Sequence, residues 1–131
     1  MPLITDDDKI DKIDIKYAAG FIDADGCISS WRNKAGYLYW ELNAVQSEKN
    51  SLLPLQQMQS RWGGSLSHTK SKTKYKPMWK WAVKGIEAAV AIQDIYFYLI
   101  TKKDIATDAL EYYSHHKKYG NIIKRIGEPR P

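Results

Sequence analysis

The chain has 131 residues, the size of one ordinary domain, and a domain of that size buries roughly two thirds of the surface its unfolded form exposes. A hydrophobic content of 44% argues against disorder, and a formal charge of +5 admits a polyanionic partner without establishing one. A single cysteine, Cys27, excludes an intramolecular disulfide, no apolar run approaches a membrane span, and no leader resembles a signal peptide. A soluble, intracellular protein without a membrane partner is therefore expected. The charge is unevenly spread: Lys70 to Lys84 holds six lysines and no acid, while the first fourteen residues hold five of the fifteen acids.

Residues 1–13 read as a flexible acidic start, 14–118 as one domain, and 119–131 as a basic, loosely held tail. The first helix is expected over 14–25, opened by an Asp14 cap and closed by Gly26. Strand-like residues follow from Cys27 to Asn33, then a turn at Asn33-Lys34-Ala35-Gly36, then a second strand from Tyr37 to Val45. In that strand Leu38, Trp40, Leu42 and Ala44 alternate with Tyr37, Tyr39, Glu41 and Asn43, so one face is buried and one is wet. Glu48 to Trp62 reads as a helix with Ser47 as its cap and Pro54 as a complication, and Gly63-Gly64 ends it. Two strands follow, Ser65 to Lys70 and Lys76 to Lys84, joined by a lysine-rich turn. Trp79, Trp81 and Val83 share the inner parity of the latter. A largely apolar helix from Gly85 to Ile100 and a last helix from Lys103 to Lys118, capped by Thr101 or Asp104, complete the order. The fold class is α+β: two helix-plus-hairpin halves sharing one four-stranded antiparallel sheet with helices on one face (αββαββα).

The stretch Ala18-Ala19-Gly20-Phe21-Ile22-Asp23-Ala24-Asp25-Gly26 resembles the signature of the LAGLIDADG homing endonucleases, with Ala18 where leucine is usual. The resemblance continues through Cys27-Ile28, Asn43-Ala44-Val45-Gln46, Trp62-Gly63-Gly64-Ser65-Leu66 and Leu99-Ile100-Thr101-Lys102-Lys103, so it covers most of the chain. It implies a saddle-shaped sheet and, because only one motif is present, a homodimer. Read as an ordinary helix end, Asp-x-Asp-Gly carries no function. Read as a calcium loop from Asp23 it fails, since Ile28 falls where glycine is needed and Lys34 where glutamate is needed.

Gly20 and Ala24 lie four apart on one helical face almost free of side chain, a spacing that lets two helix backbones approach closely. The expected two-fold interface comprises Ala19, Gly20, Asp23 and Ala24, with Asp25 close to its symmetry mate. Paired carboxylates near such an axis are expected to hold divalent cations through hard oxygen ligands.

The resemblance implies Asp25 as principal metal ligand, the Ala24 backbone carbonyl as a second oxygen, and Gln46 positioning a water. It also implies Lys102 or Lys103 beside the scissile phosphate, without a choice between them, and leaves Asp23 open between a direct role and stabilising its helix end. The implied reaction is Mg²⁺-assisted hydrolysis of double-stranded DNA at long pseudo-palindromic sites, leaving 3′ overhangs. Mn²⁺ is expected to substitute, and Ca²⁺ to bind without supporting cleavage. The setting would be intron or intein mobility.

A β-ribbon fits the major groove, so the wet sheet face is the expected reading surface. Parity assigns to it Ser29, Trp31 and Asn33, then Tyr37, Tyr39, Glu41 and Asn43, then Ser67 and Thr69, then Lys76, Met78 and Lys80. Lys70, Lys72 and Lys74 in the turn are expected to clamp phosphates. A ten-residue strand spans about 33 Å, or roughly ten base pairs, so two subunits would cover about twenty. The rival reading is an RNA maturase acting on intron RNA, or a non-cleaving regulator, on the same scaffold.

Overall fold

The computed structural model describes residues 10–69, 77–116 and 123. Its elements run α1 (Ile15–Asp25), β1 (Gly26–Arg32), β2 (Leu38–Ser47), α2 (Leu53–Trp62), β3 (Ser65–Thr69), β4 (Met78–Lys84), α3 (Gly85–Ile95), a 3-10 turn (Tyr96–Tyr98) and α4 (Lys103–Ser114). The strands form one antiparallel sheet in the order β1-β2-β4-β3, so each hairpin contributes two neighbours and β2 joins β4 at the centre. The expected α+β architecture stands.

The alternation read from β2 is the one observed. Trp40, Leu42 and Ala44 are buried beneath the helices, as are Ile28 of β1 and Trp81 and Val83 of β4. Trp79 is half-buried and packs against that core, its ring 4.4 Å from His68. The hairpin between β1 and β2 closes at Gly36 (φ 87°), and the Asn33 side-chain oxygen accepts from the backbone N–H groups of Ala35 and Tyr37 at 3.0 Å each.

Four element ends differ in detail from the pattern reading, each for a physical reason. Gly26 does end α1, but with extended backbone (φ −99°) rather than a left-handed turn. Its need for glycine is steric, because a Cβ there would stand 2.8 Å from both Cα and Cδ1 of Ile22. The second helix begins at Leu53, not Glu48. Pro54 cannot donate to a carbonyl one turn upstream, so it marks a helix start. Residues before it make turns instead, with Ser47 Oγ accepting from Lys49 N and Ser51 Oγ from Leu53 N. The helix begun at Gly85 stops at Ile95 and tightens into the 3-10 turn. Neither Thr101 nor Asp104 caps α4, whose start is organised from α1 instead.

At the N-terminal side, Ile13 is buried in the core, its N–H reaches Gln57 O, and its carbonyl accepts from Arg61 Nε at 2.7 Å. Ser60 Oγ donates to Ile10 O at 2.8 Å, so residues 10–13 are tied to α2. Ile123, within the expected tail, is also a core residue. Lys70, Lys72, Lys74, Lys76 and Lys118 lie outside the described residues.

Candidate nucleic-acid interface and metal-binding helix end

Helix α1 has two unlike faces. Ala18, Ala19 and Ile22 are fully buried against the chain's own sheet and α3, whose Ala88, Ala89 and Ala91 are buried too. Small residues on both elements let them approach closely. Ala19 is therefore a core residue and not part of an outward face, which corrects its expected place at an interface. The outward face carries Tyr17, Gly20, Ala24 and Asp25, all exposed. A Cβ on Gly20 would meet nothing within 4 Å. Glycine inside a helix costs about 1 kcal/mol relative to alanine, and none of the described residues requires one there. Around this stripe sit further exposed apolar side chains: Leu53 at the start of α2, Phe97 and Tyr98 in the 3-10 turn, and Ile100, 83% exposed. Lys16 Nζ lies 5.5 Å from the Tyr98 ring centre, placing that turn beside α1.

The two aspartates of the motif do different work. The Asp23 carboxylate accepts from Ile100 N–H at 2.7 Å and, through its other oxygen, from Lys102 N–H and Thr101 Oγ1 at 3.0 Å. Its backbone carbonyl accepts from Lys102 Nζ at 2.8 Å. Partial burial alone would raise the Asp23 carboxyl, but the donors from Ile100, Lys102 and Thr101 together outweigh it and hold the pKa below its usual value. Asp23 thus fastens the turn before α4 to the end of α1. That fastening also separates the two candidate lysines. Lys102 stands at the end of α1, whereas Lys103 Nζ lies 5.3 Å from the Tyr96 ring centre.

Asp25 is exposed at the last position of α1. Ala24 contributes one of the last carbonyls of the helix, a position without an intrahelical donor. These hard oxygens suit Mg²⁺ or Ca²⁺. Among the described residues no group of three or more His, Cys, Asp or Glu side chains gathers where a metal could be held. The donor set at this helix end fits a divalent ion if a second Asp25 stands beside the first. Gln46 lies two residues beyond the Gly26–Ala44 pair, at the sheet end from which β1 leaves α1. Its amide Nε2 and Oε1 make contacts of 3.5 Å to Ser51 O and Asn50 Nδ2, long enough to be readily exchanged.

The outer sheet face collects the residues that parity assigned to it. Ser29 pairs with Glu41, Trp31 with Tyr39, Ser67 with Lys80, and Thr69 with Met78, while Asn43 stands in the same row. Trp31 and Tyr39 stack with ring centres 5.1 Å apart, which accounts for a tryptophan standing on a wet face. Tyr37, 67% exposed, lies at the hairpin end, whereas the Asn33 oxygen is engaged in the turn. Lys84 belongs to this face as well: it pairs with Glu41, and its Nζ lies 5.7 Å from the Trp31 ring centre. The alternation Met78, Lys80 would have reached it through Ala82, had it been carried to the end of the strand.

This sheet-and-helix arrangement is the fold of LAGLIDADG homing endonucleases. The similar solved structures include I-CvuI, solved with its DNA target in the presence of Ca: TM-score 0.55, 20% identity, covering 89% of this chain and 85% of that one. They also include I-AabMI, a meganuclease bound to uncleaved DNA, at TM-score 0.58 and 19% identity over 83% of this chain and 38% of that longer one. The homing endonuclease I-TnaI matches at TM-score 0.51 and 17% identity, covering 86% and 84%. No protein-family model matches the sequence, and no curated protein matches it.

Proposed function

We propose that the chain is a homodimeric, site-specific DNA endonuclease that makes double-strand breaks at long pseudo-palindromic sites with divalent-metal assistance. The observation that carries this reading is the division of labour at the end of α1. Asp23 is held by three donors of the 100–102 turn, while Asp25 stands exposed beside a stripe of Gly20 and Ala24 that packing among the described residues does not explain. Two copies packed through that stripe would bring two Asp25 carboxylates together, each helix end supplying oxygens to a shared site. The surrounding Leu53, Tyr17, Phe97, Tyr98 and Ile100 give the interface its apolar area.

In this reading Asp25 and the Ala24 carbonyl hold Mg²⁺, which activates water and stabilises the leaving oxygen when bound. Gln46 orients the attacking water. Lys102, fixed at the helix end through Asp23, places positive charge beside the scissile phosphate. Lys103 is left a supporting role at most. The sheet face of each subunit lies in the major groove, and the cut leaves 3′ overhangs. The structures of I-CvuI and I-AabMI with DNA support the DNA-binding part of this reading.

The test is cleavage of a randomised duplex library with Mg²⁺, using Asp25→Asn and a chelator as controls. Enriched pseudo-palindromic cuts that vanish in both controls are expected. Sequence-selective binding with no cut under any divalent ion would overturn the nuclease reading in favour of a binder.

A further inference from the structure

The centre of the outer sheet face holds a carboxylate, a group that repels phosphate. Glu41 is only 15% exposed at its side chain, and three groups converge on it. Asn43 Nδ2 donates to its Oε2 at 2.8 Å, Lys80 Nζ stands 4.0 Å from the same oxygen, and Lys84 Nζ stands 3.9 Å from Oε1. The register explains how the strands reach it. Lys84 lies directly opposite on β4, and Lys80 reaches back over Ala82, which lies opposite Asn43 and has no bulk to block it.

Resting on the DNA-binding reading above, we infer that Glu41 is a positioning residue for sequence choice. It holds Lys80 and Lys84 in toward the base edges and fixes the amide of Asn43, so that this part of the face prefers guanine beneath each lysine.

A free lysine on a DNA-binding sheet is drawn to phosphate, a contact that carries no sequence information. A carboxylate between two lysines opposes that excursion, because it attracts both ammonium groups and repels phosphate. At 3.9 and 4.0 Å the ion pairs are too long to be tight hydrogen bonds, so the ammonium protons remain available to an acceptor. In the major groove the acceptors best suited to lysine are guanine O6 and N7. A carboxylate only accepts, so the Asn43 group facing it is the NH₂, and the Asn43 carbonyl oxygen is directed away. Lys84 also lies against the Trp31 ring, which fixes it from the other side. Glu41 pairs with Ser29, which lies four residues on from Asp25. At about 3.3 Å per residue the cluster is therefore about four base pairs outward from the cut.

The test is site selection from randomised duplexes by the full chain, comparing the wild type with Glu41→Gln. The wild type should select guanine at one or two positions about four base pairs from the cut in each half-site. Glu41→Gln should lower that preference roughly tenfold and leave the rest of the site unchanged. Its affinity for unrelated DNA should rise, with a steeper salt dependence as the lysines turn to phosphate. Lys80→Met and Lys84→Met should each remove the guanine preference at one position, which keeps the test open if Glu41→Gln fails to fold. Unchanged base preferences in all three variants overturn the inference. A wild-type protein that selects no sequence at all overturns the DNA-binding reading beneath it.

Discussion

The two faces of α1 are built from similar residues and answer to different constraints. Inward, Ala18 and Ala19 are small because α3 and the sheet press against them, and the chain's own core accounts for each. Outward, Gly20 and Ala24 are equally small, yet Gly20 stands in open space. A glycine with no neighbour weakens a helix without return among the described residues. The inward face is thus explained by folding, whereas the described residues do not account for the outward one, and the proposed two-fold packing would. Asp23 and Asp25 repeat this contrast at the helix end, one bound into the chain's own turn and one left outward.

The largest effect should come from the outward end. Asp25→Asn should lower DNA cleavage on the order of a thousandfold or more, since metal-held charge supplies several kcal/mol to such a transition state. Its melting temperature should match the wild type, as measured by calorimetry. Lys102→Met should lower the single-turnover cutting rate by roughly a hundredfold, the scale of one lost electrostatic donor, whereas Lys103→Met should change it little. Equal losses in the two lysine variants would erase the distinction that Asp23 draws between them.

The faces themselves are separated by a pair of substitutions. Ala19→Leu should destabilise the fold by about 1–3 kcal/mol through overpacking, read from urea unfolding. Gly20→Leu should leave the monomer unharmed or firmer by up to about 1 kcal/mol on helix propensity while abolishing cleavage.

The smallest effect is on the tie from Asp23, and it depends on pH. Asp23→Asn should cost about 1 kcal/mol, comparable to a lost helix cap. The native Asp23 carboxyl sits below its usual value, so its stabilisation is complete above the unfolded carboxyl's value near 4. It is lost as pH falls through the lower native value. The difference in unfolding midpoint between wild type and Asp23→Asn should therefore be constant around neutrality and shrink at acid pH. A difference that widens on acidification would contradict the tie.

The order of elements and the two faces of the sheet were legible because strand parity and turn glycines are local signals. Trp40, Leu42 and Ala44 announce the inner face by period two, and Gly63-Gly64 announces a break, confirmed by positive φ at both. Helix phase was legible too, since Ile15, Ala18, Ala19 and Ile22 fall at one-turn spacings, although grouping Ala19 with Gly20 by size alone concealed it. The start of α2 turned on choosing Pro54 over Ser47 as the signal. The role of Asp23 was not legible, because its partners lie 77 to 79 residues away in sequence. The clustering of Lys80, Lys84 and Asn43 on Glu41 likewise depends on register between β2 and β4, which no single strand reports.

The most direct test of the account is the mass in solution of the wild type and of Gly20→Leu, by sedimentation equilibrium, alongside Mg²⁺-dependent cutting of the selected site. A wild-type dimer that cuts, beside a folded Gly20→Leu monomer that does not, is the predicted result. A Gly20→Leu protein that stays monomeric and still makes Asp25-dependent double-strand breaks would contradict it.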